Sequence, residues 1–129
     1  MSEKNRAADW LFQAEDDIRF AESALTNRFY AQCCFISQQA AEKALKGLLY
    51  ARGAVAVMTH SLLKLCEELK INGELAEAAG ILDQYYVTGR YPDAIPAGAP
   101  SQVFAARQAK DAVAFAIKFL ARVREEMPP

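Results

Sequence analysis

Across residues 33–52, CCFISQQAAEKALKGLLYAR, apolar side chains cover well over half of a helical wheel, and Gln39, Glu42, Lys43, Lys46 and Tyr50 form the polar strip that remains. This pattern predicts one long helix, rich in good helix formers, that stops at Gly53 and is flanked by neighbours on two or three sides. Within the apolar arc, Cys33, Ser37, Ala40, Ala44, Gly47 and Ala51 make a narrow seam of small residues, against which a second helix backbone can approach closely.

The flanking segments carry weaker versions of the same period. From about Asn5 to Leu25, the positions Trp10, Leu11, Ala14, Ile18, Ala21 and Leu25 form one stripe, with Asp9, Glu15, Asp16, Asp17 and Glu22 on or beside the other face. The break at Thr26, Asn27 and Arg28 is short enough to force an antiparallel return. After Gly53 the alternating AVAVMTHS has no partner strand and predicts a loop, with Thr59 or Ser61 as N-cap of a third helix on Leu62, Leu63, Leu65, Cys66 and Leu69. Asn72 and Gly73 end it, and a fourth helix runs from about Glu74 to Tyr86. Residues 88–100, TGRYPDAIPAGAP, predict an irregular loop. Ser101 then caps a last helix to about Glu126, with Ala105, Ala109, Ala112, Val113, Ala116, Phe119, Leu120 and Val123 facing inward. The sum is an all-α, up-and-down bundle of four to five helices, one domain over residues 1–129.

Composition narrows the function classes. The balance of 53% hydrophobic and 24% charged residues is that of a globular chain, and a net charge of -1 confines any anion-binding surface to a local patch. Three cysteines, two of them adjacent, suit neither a metal nor a mutual disulfide and predict buried, reduced thiols. The charged opening MSEKNRAADW does not read as a secretory signal, and no run spans a bilayer, so a cytoplasmic location with no membrane role is expected.

Standard catalytic and metal signatures do not occur, and neither metal nor cofactor is expected. Polar residues at helix junctions are the candidates left. His60, the single histidine, stands where a loop enters a helix and can exchange a proton near neutrality, or simply pack there. Arg90 lies in the turn before Tyr91, Pro92 and Asp93, where it can clamp a phosphate or pair with Asp93. Lys43 and Lys46 share the polar strip with Glu42, and an i,i+4 pair of Glu42 with Lys46 is the simplest reading. Arg107, Lys118 and Arg122 form a basic row that Asp111 interrupts.

In order, the phrases CFISQQAAEKALKGLLYARG, THSLLKLCEEL and YYVTGRYPDA resemble the HEPN family of small helical domains, over roughly Ala7 to Val123. The resemblance implies a four- or five-helix bundle that commonly forms a homodimer. It also implies a minimal nucleotidyltransferase partner, as in toxin–antitoxin pairs, and a nucleotide or RNA ligand, for which Arg90, Tyr91, Lys43 and Lys46 are the phosphate-binding candidates. Active toxins of the family are metal-independent ribonucleases marked by an arginine and a histidine four to six residues apart. Here Arg52 precedes His60 with seven residues between, so the strict mark is missing, and a relaxed catalytic pair of Arg52 and His60 is the alternative. A third reading makes the chain a non-catalytic dimerisation module, with the apolar arc of the central helix as the subunit contact.

Overall fold

Helix α2, Tyr30–Ala51, forms the axis of the molecule, and fourteen of its residues are buried, from Ala31 through Leu49. The computed structural model describes residues 6–128, so the predicted start of the first helix at Asn5 lies outside the described residues. Around α2 stand α1 (Ala7–Thr26), α3 (Leu62–Leu69), α4 (Glu74–Asp83), the one-turn α5 (Tyr85–Thr88), the one-turn α6 (Pro100–Val103) and α7 (Ala106–Glu126). The molecule is all-helical among the described residues, as the periodicity predicts.

The order of contacts gives the topology. Trp10 meets Tyr50 and Asp17 meets Lys43, so α1 runs antiparallel to α2. Cys33 reaches Ala109 near the start of α7 and Arg52 reaches Glu126 at its end, so α7 runs parallel to α2. Between them, α3 and α4 form an antiparallel hairpin, since Asp83 at the end of α4 meets Leu62 at the start of α3, and α5 then carries Tyr86 down to Phe35 of α2. A four-legged up-and-down bundle results, with its third leg in pieces.

Local chemistry explains each boundary. Gly53 ends α2 with φ of 102°, a left-handed value that favours glycine. Ser61, and not Thr59, caps α3, its hydroxyl accepting from Lys64 N at 3.2 Å. The predicted fourth helix breaks at Gln84 into α4 and α5, which turns both Tyr85 and Tyr86 toward the bundle. The last helix also departs from expectation. Ser101 lies inside α6, Phe104 adopts extended backbone and buries its ring edge-on against Tyr85 at 5.4 Å, and α7 starts only at Ala106. Ala105 is therefore an exposed N-cap and not an inward residue; Gln108 replaces the missing cap by accepting from Ala105 N at 2.8 Å.

The seam of small residues on α2 serves two neighbours. Its first member, Cys33, lies on α7, whereas a side chain at Gly47 would meet Trp10, Leu11 and Ala7 of α1 within 3.1–3.4 Å. At Gly89, a Cβ would stand 2.9 Å from Tyr85 O and 3.2 Å from Ala31 O, so only glycine lets the end of α5 reach α2. One expectation is corrected by this packing. The apolar arc of α2 is filled by α1, α7 and the third leg, and cannot double as a subunit contact.

Cys33, Cys34 and Cys66 are free and buried, as predicted. Burial pushes their thiols up to about 11, about 12 and about 11 from an ordinary 9.0. The reactive thiolate is then at least about a hundredfold scarcer than for an exposed thiol at neutral pH. A thiol reagent such as dithionitrobenzoate is expected to leave the native protein unlabelled and to titrate all three thiols in denaturant; fast native labelling would contradict the packing.

Candidate functional site

Gln38, Glu42 and Lys46 lie one turn apart on α2 and form a polar stripe aimed at the loop before α3. Gln38 is fully buried, and its amide donates to His60 O at 3.0 Å and to Asp83 Oδ1 at 3.5 Å. Asp83, the last residue of α4, also accepts from Leu62 N at 2.8 Å, Leu63 N at 3.1 Å and the Ser61 hydroxyl at 3.0 Å. One carboxylate thus satisfies the open N–H groups at the start of α3 and fixes the backbone that carries His60.

Glu42 and Lys46 form an ion pair at 2.9 Å with both side chains only 7% exposed. The i,i+4 pair expected from spacing is present, but buried, and the same Glu42 oxygen also meets His60 Nδ1 at 3.0 Å. Gln39 donates to the Gln38 side-chain Oε1 at 2.8 Å and to the other Glu42 oxygen at 3.5 Å, which closes the network. Buried charges of this kind are tolerated because each is paired and hydrogen-bonded.

Above this polar base stands an aromatic ridge. The His60 ring stacks on Tyr86 with centroids 5.1 Å apart and 18° between planes, and Tyr86 leans on Phe35 at 6.2 Å. The Arg90 guanidinium lies over three rings, 4.5 Å from Phe35, 4.8 Å from Tyr86 and 5.0 Å from Tyr91, while its Nε donates to Tyr86 O at 2.8 Å. Arg90 does not pair with Asp93; it is exposed and, among the described residues, has no carboxylate partner. Beside it, a cavity of about 390 Å³ is lined by Gln32, Arg90, Pro92 and Ser101. An exposed cation, an exposed imidazole and flat aromatic faces on one ridge can together take a phosphate and a base.

The remaining candidates go elsewhere. Lys43 turns to Asp17 of α1, next to a separate cavity between Arg6, Asp9, Trp10 and Gln13. Arg52 lies ten residues beyond Glu42, about 15 Å of helix rise. Its guanidinium holds Glu126 Oε1 at 2.7 Å. A hydrogen bond from Arg122, with a second from Arg52, keeps the Glu126 carboxyl below its ordinary range, so this clasp holds above the usual carboxylate pKa and loosens as pH falls through the lowered one. The basic row on α7 is neutralised as well: Arg107 pairs with Asp111, Lys118 with Glu74 and Arg122 with Glu126. Phe35, Gln38 and Tyr86 lie within the family phrases but no motif singles them out as site residues, and Asp83 lies outside them. Only Gln38 left a trace, the four-residue spacing to Glu42 and Lys46.

Among curated proteins none matches the chain. Solved structures do. TT1696 from Thermus thermophilus is 47% identical, with a TM-score of 0.89 over 95% of this chain and 98% of that one. ST0689, described as an archaeal HEPN homologue, is 35% identical with a TM-score of 0.80 over the same shares. An HEPN domain protein of Thermotoga maritima, tm0613, is 31% identical with a TM-score of 0.69 over 91% and 95%. The profile described as HEPN domain matches residues 7–126. With that span and those identities, the chain belongs to the HEPN domain family.

Proposed function

We propose that the chain is a binding module for a nucleotide or an RNA phosphate, taken at the ridge of His60, Tyr86, Arg90 and Tyr91. The observation that carries this reading is the Arg90 guanidinium: it is held over aromatic rings and by one backbone carbonyl, yet no carboxylate neutralises it among the described residues. A cation fixed in place without a counter-ion is a phosphate site that has already met the cost of ordering its side chain. Lys46, paired with Glu42 beneath His60, supports the site from behind, and Lys43 stands apart with Asp17. The proposal extends to a wider setting, a cytoplasmic homodimer that works with a minimal nucleotidyltransferase in the manner of a toxin–antitoxin pair.

Fluorescence anisotropy with short single-stranded RNA and with adenine nucleotides, at low salt, tests the reading. Arg90→Ala and His60→Ala are each expected to weaken binding about tenfold, the size of one charge-assisted hydrogen bond. Lys43→Ala should leave it within about twofold. Equal affinities for the wild type and Arg90→Ala would remove the site.

A further inference from the structure

Residues 54–60, AVAVMTH, keep the alternation of a strand in a molecule whose described residues form no strand. From Ala56 to Ser61 exposed and half-buried residues alternate one by one, the period of extended backbone. The segment is tied down along its length. Ala54 N donates to Leu49 O at 3.0 Å, Val57 N donates to the Tyr50 hydroxyl at 3.2 Å, and His60 O accepts from Gln38 at 3.0 Å. Between these ties, the backbone groups of Ala56 and Met58 meet no partner among the described residues. Val57 turns its N–H inward to Tyr50, so the N–H and C=O of its two neighbours point outward, as along the edge of a sheet. Val55 and Met58 are 93% and 82% exposed, more than any other large apolar side chain among the described residues.

Fixed extended backbone with open hydrogen-bonding groups and bare apolar side chains is a surface onto which a second strand adds. The register says which strand. When two identical strands pair antiparallel about a two-fold axis, one residue faces its own copy. A pairing centred on Val55 or Ala56 would need Ala54 N, which Leu49 already holds, and one centred on Met58 or Thr59 would need His60 O, which Gln38 already holds. Centred on Val57, the pairing uses only Ala56 and Met58, each exchanging both N–H···O bonds with the copy of the other. The side chains then match in size and type: Ala56 faces Met58, Val57 faces Val57, and Val55 faces Thr59.

We infer that this segment pairs antiparallel with the same segment of a second copy, with Val57 on the two-fold axis, and joins two chains through a β-ribbon that neither forms alone. The inference rests on the homodimer in the reading above, to which it gives a surface, and not on the phosphate site. Because Leu49, Tyr50 and Gln38 already hold the strand, the pairing orders little further backbone.

In sedimentation velocity at tens of micromolar, the wild type is expected to be a dimer. Ala56→Glu/Met58→Glu sets like charges opposite each other at both pairs and should raise the dissociation constant at least about tenfold, whereas Ala56→Glu/Met58→Lys sets opposite charges there and should stay within about threefold of the wild type. Ala56 and Met58 are exposed, so these substitutions remove no core contact. Disulfide capture reads the register. Val57→Cys places two thiols at a non-hydrogen-bonded pair with Cα atoms about 4.5 Å apart, whereas Val55→Cys leaves them roughly 14 Å apart. Under mild oxidation Val57→Cys should therefore cross-link faster than the far more exposed Val55→Cys, and the three native thiols, all buried, give no background. A monomeric wild type overturns the pairing and removes the homodimer with it, while the ligand site still answers to its own anisotropy experiment. A wild-type dimer that tolerates Ala56→Glu/Met58→Glu, equal dissociation of both charge variants, or faster cross-linking of Val55→Cys overturns the pairing and leaves the homodimer to another surface.

Discussion

Glu42→Ala is expected to destabilise the protein by about 3–5 kcal/mol, because it leaves the Lys46 ammonium buried without a counter-charge. The alanine also strips His60 Nδ1 and the Gln39 amide of their acceptor. The loss comes from the orphaned charge and not from the worth of the pair. Hence Glu42→Leu/Lys46→Met, with apolar side chains of similar volume, should fold within about 1 kcal/mol of the wild type. Urea denaturation of wild type, both singles and the double closes the cycle. A Glu42→Ala protein as stable as the wild type would mean that water reaches the pair and that the polar base of the ridge is not sealed.

The second large effect concerns Asp83. Asp83→Ala should cost about 3 kcal/mol, since it removes in one step the acceptor for Leu62 N, Leu63 N and the Ser61 hydroxyl. Asp83→Asn keeps one acceptor oxygen and should cost about 1 kcal/mol. Because Gln38 divides its amide between Asp83 and His60 O, the alanine also frees the loop that presents the imidazole. Hydrogen exchange should show the amides at the start of α3 losing protection first, with ligand affinity falling to the level of His60→Ala. Unchanged protection at Leu62 and Leu63 would show that another group holds the helix start.

Both predictions rest on residues from segments far apart along the chain, which bears on how much a reading of the order of residues could reach. The enclosure of α2 was legible because its apolar arc is too wide for a surface helix, and Gly53 marked its end. The hairpin of α1 and α2 followed from a three-residue gap. The two breaks at Gln84 and Phe104 were not legible: both segments keep a helical period, and the contact that accompanies the breaks, Tyr85 against Phe104, joins residues nineteen apart. The sequence shows a single polar strip on α2. It is in fact divided, with Lys43 and Tyr50 serving α1 and Glu42 and Lys46 sealed under His60.

Local pattern by itself determined the helical legs, the central rod, the buried thiols and the loop that carries Arg90, because periodicity, caps and breakers act within a few residues of one another. The family resemblance lay in three phrases of the same kind. Only the tertiary structure decided what surrounds His60 and Arg90. Asp83, twenty-three residues after His60, and Glu42, eighteen before it, meet that loop because the third leg folds back along α2. It likewise took Arg52 to Glu126, seventy-four residues away, and left Arg90 over aromatic rings without a counter-ion among the described residues. Hydrogen bonds and ion pairs of this range depend on where whole helices come to rest, and that position is set by the packing of the core.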